Sequence, residues 1–132
     1  MRYVVDTHAL VWLLEGNPRL GDQAKAILTN PTTQLVLPAI ALAEAVWIVE
    51  RGKTSIPSVA ALLSAINADP RVTVYPLDQA VIEQTVALAA IDEMHDRQIV
   101  ATAIVLQSQG ETMPLLTCDQ NITASGLVSI AW

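Results

Sequence analysis

The apolar positions of this chain fall into two alternating patterns. Short runs rich in β-branched residues, such as those around Val4 and Val72, are typical of buried strands. Between them lie longer segments with apolar residues three and four positions apart, which predict helices. The predicted strands are residues 3–5, 35–37, 72–75, 115–118 and 127–130, and the predicted helices are residues 8–15, 21–29, 40–50, 59–67, 96–109 and a segment from a cap at Asp78 to about residue 90.

Strands that alternate with helices predict a parallel sheet, because each return to the next strand needs a crossover. We therefore expect one α/β domain over residues 1–132, a three-layer α/β/α sandwich around a central, mostly parallel five-stranded sheet. In such sheets ligands sit beyond the carboxyl ends of the strands. Functional residues are expected just after a strand or near the start of a helix.

Composition narrows the class of protein. Of 132 residues, 52% are hydrophobic and 15% charged, which excludes a disordered acidic tail. With 13 acidic residues against 7 Lys and Arg, the net charge of −6 argues against a protein that grips nucleic acid through a broad basic face. A polyanion remains a possible substrate if something other than Lys and Arg supplies positive charge.

The sequence also bears on location. The apolar stretch from Leu35 to Val49 contains Pro38 and Glu44 and is too short to span a bilayer, so no membrane segment is predicted. The single cysteine, Cys118, cannot form an internal disulfide, and a cytoplasmic location is the simplest expectation. We expect Cys118 to lie in the core.

Two acidic residues directly follow predicted strands. Asp6 comes after Val5, and Asp119 comes after the LLTC segment, so both are expected at the rim of the sheet where a site forms. The alternative for each is a structural role, since Asp at a strand end often caps the next helix. Neither residue alone decides between the two interpretations.

Two further acidic residues lie on predicted helices. Glu44 has apolar helical neighbours, among them Ile40 and Trp47, which predicts that its carboxylate points into the face that packs on the sheet. The alternative is a residue at the edge of that face. Asp96 begins a helix and is expected at the same rim, with a helix N-cap as its alternative.

Four carboxylates from four segments are thus predicted at one end of one sheet. Without a cation they would repel one another, and an all-oxygen site of this kind suits Mg²⁺ or Mn²⁺. Such a site can clamp a phosphate and activate water for attack on a phosphodiester.

At these residues the sequence resembles PIN-domain ribonucleases, specifically the VapC-like toxins of toxin–antitoxin pairs. The matching stretches are VVDTHALVWLLEGNPRL, LPAIALAEAVW, HDRQIVATAI and LLTCDQNITASGLVSIAW, in the family's order along the whole chain. The resemblance implies a Mg²⁺- or Mn²⁺-dependent endoribonuclease with Asp6, Glu44, Asp96 and Asp119 as catalytic residues, Asp6, Asp96 and Asp119 as the metal ligands, and Thr7, Thr117 and Asn121 as supporting polar residues. It also implies an RNA substrate, a homodimer and a cognate antitoxin protein.

The chain departs from the family in the IDEMHDR segment, where relatives carry a Pro-containing loop with an aromatic residue. Asp92 and Glu93 are interpreted as solvated loop charges, with an approach of either one to the metal as the alternative. His95 is interpreted as a loop residue, with a contact to phosphate or a general-acid role as the alternative. Trp12 and Trp47 are expected in the core, with a groove for a partner as the alternative. The candidates for gripping RNA are Arg97, Arg51, Lys53, Arg19 and Arg2.

Two other functions are weighed against the ribonuclease toxin. One is a catalytically inactive interaction module that keeps the fold while its acidic residues serve as caps. The other is a stand-alone RNA-processing nuclease. A phosphohydrolase that forms an aspartyl-phosphate on Asp6 is disfavoured, because the acid it needs two residues later is replaced by His8.

Overall fold

The structure is a computed structural model that describes all residues from Met1 to Trp132. Five parallel strands form one sheet in the order β3-β2-β1-β4-β5. The strands are β1 (Arg2–Val5), β2 (Gln34–Pro38), β3 (Val72–Tyr75), β4 (Leu115–Leu116) and β5 (Ile130–Ala131). The helices are α1 (Thr7–Glu15), α2 (Asp22–Thr29), α3 (Ala39–Glu50), α4 (Val59–Ala68), α5 (Gln79–Thr85), α6 (Met94–Gln107) and α7 (Gln120–Ser125).

The predicted α/β/α sandwich with a parallel five-stranded sheet is therefore confirmed. From β1 the chain builds outward through β2 to β3, then crosses back to place β4 on the other side of β1. This reversal makes the carboxyl ends of β1 and β4 the switch point of the sheet, where open α/β sheets bind ligands. Val5 pairs with Leu116, so the residues that follow the two strands lie side by side.

The burial of the sheet on both faces explains why its strands are continuous apolar runs in the sequence. A sheet covered on both faces buries every side chain of its central strands, and Val4, Val36, Leu37, Leu115 and Leu116 are at most 1% exposed. No helix combines the length and the apolar character needed to cross a membrane.

Several helix ends lie where local chemistry predicts them. Gly16 ends α1 with a left-handed φ of 66°, which only glycine adopts without strain. Ser58 is the N-cap of α4, and its hydroxyl accepts a hydrogen bond from the Ala61 amide at 3.0 Å.

Helix α5 ends five residues earlier than predicted, at Thr85. From Val86 to Leu88 the amides bond to carbonyls three residues back, so the chain continues as tight turns. Leu88 and Ile91 are buried, so the apolar spacing that suggests a longer helix comes from these turns packing on the core. The Arg97 guanidinium donates to the carbonyls of Ile91 and Ala89 and so satisfies backbone groups that a helix would have paired.

The last part of the chain also differs from the prediction. Strand β4 ends at Leu116, and β5 covers only Ile130–Ala131. Helix α7 was not predicted, because six residues are too few to show helical periodicity. Helix α6 begins at Met94, two residues before its predicted start.

Candidate active site

Asp6 lies at the switch point of the sheet and is 7% exposed. Its Oδ1 accepts a hydrogen bond from the Thr7 amide at 2.7 Å, which caps α1, and its Oδ2 accepts one from the Thr117 hydroxyl. Burial raises the pKa of Asp6, and the two hydrogen bonds offset part of that rise. The capping role is therefore present, and the same side chain is held at the rim where the site was predicted.

Asp119 reaches the same rim from β4. Its Oδ1 caps α7 by accepting from the Ile122 amide at 2.9 Å, and its own amide donates to the Thr117 hydroxyl at 3.1 Å. Thr117, which is 1% exposed, thus connects Asp6 to the backbone of Asp119. The supporting role suggested for Thr117 has a direct geometric basis.

Glu44 approaches from α3, and its Oε1 accepts a hydrogen bond from the Thr7 hydroxyl at 3.0 Å. The expectation that it points into the face packed on the sheet is wrong. That face carries Ala41 and Ala45, both fully buried, whereas the Glu44 side chain is 30% exposed at its edge. Partial burial still raises the pKa of Glu44.

Asp96 completes the set from the first turn of α6. It is not the helix N-cap: Glu93 is, and the Glu93 Oε2 accepts from the Asp96 amide at 2.8 Å. Burial raises the pKa of Asp96 to about 7, and the charges of Asp119, Asp6, Glu93 and Glu44 add to the rise. This coupling is the electrostatic consequence of gathering carboxylates from separate segments at one edge.

Two residues interpreted from the sequence as loop residues belong to the site. His95 lies in the first turn of α6, where its Nδ1 is 2.9 Å from the Glu93 Oε1 and 3.8 Å from the Glu44 Oε2. Burial acts to raise the pKa of Glu93, but hydrogen bonds from the Asp96 and His95 amides outweigh it, and the pKa is lowered. The only sequence signal is the position of Glu93 three residues before Asp96, which is weak because Glu is not a preferred cap.

The donor set suits a hard divalent cation, since it consists of carboxylate oxygens whose mutual repulsion a cation relieves. As the side chains stand, no three His, Cys, Asp or Glu residues are close enough together to hold a metal ion. Asp6 and Asp119 each use an oxygen to cap a helix. Binding a metal therefore requires carboxylates of this set to move closer together.

Two other expectations fail at the surface. Cys118 is exposed rather than in the core. Partial burial, together with the charges of Asp6 and Asp119, still raises the pKa of its thiol. Trp47 is 52% exposed, so its assignment to the core is wrong, whereas Trp12 is partly buried and packs against Trp132. Asn121 is exposed and forms no side-chain hydrogen bond.

The basic residues differ in how far they are available to a substrate. Arg97 binds backbone carbonyls, and Arg2 forms an ion pair with Glu111 at 2.6 Å. Arg51 forms no ion pair and places its guanidinium 4.5 Å from the centre of the Trp47 ring. Arg51 and its neighbour Lys53 are exposed close to the end of the helix that carries Glu44.

Fold and site together define a class: parallel α/β sandwiches that gather carboxylates from separate segments at the switch point of the sheet. The PIN domain family profile matches residues 3–125. The chain belongs to the PIN domain family. Comparison with curated proteins finds no match.

Solved structures share this fold. VapBC2 from Rickettsia felis, bound to a DNA fragment from its promoter, superposes with a TM-score of 0.73 at 16% identity, covering 98% of this chain and 97% of that chain. The Mycobacterium tuberculosis toxin VapC20, which cleaves the sarcin–ricin loop, superposes with a TM-score of 0.71 at 19% identity. The match covers 98% of this chain and 99% of that chain. VapBC-1 from nontypeable Haemophilus influenzae superposes with a TM-score of 0.62 at 20% identity, covering 98% of this chain and 96% of that chain.

Proposed function

We propose that this protein is a divalent-metal-dependent endoribonuclease and the toxin of a toxin–antitoxin pair. The observation that carries the proposal is the convergence of Asp6, Glu44, Asp96 and Asp119 at the switch point of the sheet, where burial and the neighbouring carboxylate charges raise the pKa of Asp96. The substrate is RNA. Asp6, Asp96 and Asp119 are the proposed ligands of Mg²⁺ or Mn²⁺.

An ion held by these three carboxylates would supply positive charge for the phosphate and lower the pKa of water. The protein's own residues divide the remaining work. Thr117 and the Thr7 amide fix both oxygens of Asp6, so the ligand set is built on a rigid point. The Thr7 hydroxyl donates to the Oε1 atom of Glu44 and so orients this side chain. The Oε2 atom of Glu44 is then left to accept the proton of the attacking water. A raised pKa suits Glu44 to that role better than Asp119, whose Oδ1 caps a helix.

The proposal includes two protein partners and a location. An antitoxin is proposed because a solved structure that shares the fold, with a TM-score of 0.66, is a toxin–antitoxin complex from Klebsiella pneumoniae. A homodimer is proposed from the exposed apolar side chains of Ile82, Val86 and Met94. A cytoplasmic location fits the single exposed thiol of Cys118, which a reducing compartment protects.

The experiment is a cleavage assay on purified protein with total RNA and Mg²⁺ or Mn²⁺. Cleavage is expected with either ion and should vanish with EDTA or in Asp6→Asn, while circular dichroism shows the fold unchanged. Cleavage that persists in EDTA contradicts the metal mechanism, and a folded protein without activity supports the inactive module. A stand-alone processing nuclease is distinguished by expression in cells, because a toxin arrests growth unless its antitoxin is co-expressed.

A further inference from the structure

A cavity of about 540 Å³ opens beside the carboxylates and is not used by the proposed chemistry. It is lined by Ile40, Ala43, Glu44, Trp47 and His95. The volume lies within the range of about 300–1,000 Å³ that is typical of small-molecule sites. Glu44 and His95 line the cavity and also belong to the candidate active site. A ligand in the cavity therefore lies next to that site.

The wall of this cavity contains an exposed tryptophan. Trp47 is 52% exposed, although Trp is among the side chains that proteins bury most fully on average. It projects from α3 one turn beyond Glu44, so the α-helix itself fixes the indole beside the carboxylate. A flat aromatic surface held in this position suits a ligand that stacks.

Arg51 adds charge to that surface. Its guanidinium lies 4.5 Å from the centre of the Trp47 ring, one further turn along the helix, and it has no acidic partner. The stacking contact holds the cation beside Trp47, which forms part of the cavity wall. In a chain with a net charge of −6, an unpaired cation ordered next to the active site is suited to a phosphate.

From these observations we infer that the cavity binds one unpaired base of the RNA, stacked on Trp47, with Arg51 on an adjoining phosphate. The inference rests on the proposed ribonuclease function. Proteins recognise single-stranded RNA by stacking splayed bases on aromatic rings, and a guanidinium beside the ring contacts the backbone. Ile40 and Ala43 form the apolar side of the cavity, next to the stacked base. Trp47 thus serves substrate positioning, and the acidic residues serve the chemistry.

The test is a binding titration with an oligoadenylate of twelve nucleotides, in which binding is measured by the quenching of tryptophan fluorescence. Asp6→Asn protein is used so that the RNA stays intact. We expect quenching with oligoadenylate and little with an abasic strand of the same length, which has the phosphates without the bases. Trp47→Phe should remove the quenching but keep the affinity, Trp47→Ala should weaken binding about tenfold or more, and Trp12→Phe is the matched control that keeps both.

Kinetics on the active protein provide the second readout. Trp47→Ala should raise KM with kcat nearly unchanged, because stacking holds the substrate equally in the ground and transition states. Arg51→Ala should weaken RNA binding. It should also reduce the slope of log affinity against log salt concentration by about one. The inference is overturned if wild type cleaves RNA and the Trp47→Ala variant has the same RNA affinity and the same KM as wild type. It is overturned as well if Trp47→Ala only dissociates a dimer and leaves RNA binding intact.

Failure of the proposed function looks different. In that case wild-type protein cleaves no RNA with either metal ion. Quenching by oligoadenylate that depends on Trp47 then still supports the base site, and its absence overturns it.

Discussion

The Thr117 hydroxyl donates a hydrogen bond to the Asp6 carboxylate, joining residues 111 positions apart in the chain. The contact exists because Val5 pairs with Leu116, which puts the next residue of each strand at the same level. The same hydroxyl accepts from the Asp119 amide. One threonine therefore ties together the two strand ends on which the candidate metal site is built.

The first prediction concerns this threonine. Thr117→Val keeps the side-chain shape but removes both hydrogen bonds, leaving a buried carboxylate oxygen without a partner. We expect the free energy of unfolding to fall by about 1–3 kcal/mol and Mg²⁺ binding to weaken, because the pKa of Asp6 rises further. Urea denaturation and calorimetric titration measure the two effects. Thr117→Ser keeps the hydroxyl and should behave as wild type, and a valine variant equal to the serine variant refutes the role.

The second prediction is a pH dependence. The pKa of Asp96 is raised from 3.8 to about 7 in the folded state, so the folded protein binds this proton more tightly than the unfolded chain. The stabilisation from Asp96 is therefore complete below about pH 4 and is lost as the pH rises through 7. In EDTA, wild type should lose more stability between about pH 5 and pH 8 than Asp96→Asn, where no such proton is lost.

Metal should reverse this difference. A divalent ion takes the place of the proton, so Mg²⁺ should stabilise wild type at pH 8 and leave Asp96→Asn nearly unchanged. Thermal unfolding at both pH values, with Mg²⁺ and with EDTA, provides the measurement. Parallel pH profiles of the two proteins in EDTA would show that the pKa of Asp96 is not raised in the folded protein.

The positions of the carboxylates follow from the sequence to different extents. Asp6 and Asp119 could be placed because each directly follows a buried strand, and the ends of parallel strands meet at one edge of the sheet. Glu44 was identified correctly as unusual but placed on the wrong face. Helix α3 is apolar nearly all round, so its pattern does not show which apolar residues the fold leaves uncovered, and Trp47 was misplaced for the same reason.

The features that sequence reasoning missed depend on contacts between distant segments. His95 joins the site only because α6 packs on α3 and brings it near Glu44. Arg97 was a candidate for binding RNA, but it is occupied by carbonyls of turns that the pattern had assigned to helix. Periodicity reports local burial and cannot show which long-range partner a polar side chain finds.

The third prediction separates chemistry from binding at α3. Glu44→Gln keeps the shape and an acceptor for Thr7 but cannot take a proton from water. We expect kcat to fall about 100-fold or more while KM stays nearly the same, as for the loss of a general base. Glu50→Gln, at the exposed end of the same helix, is the control and should keep full activity. Equal losses in the two variants indicate a general effect of charge.

The fourth prediction concerns Glu93, which caps α6 and contacts His95. Glu93→Ala leaves the Asp96 amide without its acceptor, so the first turn of α6 loosens and Asp96 is held less firmly. We expect stability to fall by about 1 kcal/mol and cleavage activity to fall with it, with Mg²⁺ affinity reduced. Glu93→Asp, which can cap in the same way, should recover most of the loss. Asp92→Ala, at the exposed preceding residue, is the matched control. If it costs as much as Glu93→Ala, the effect comes from removing a charge and not from the cap.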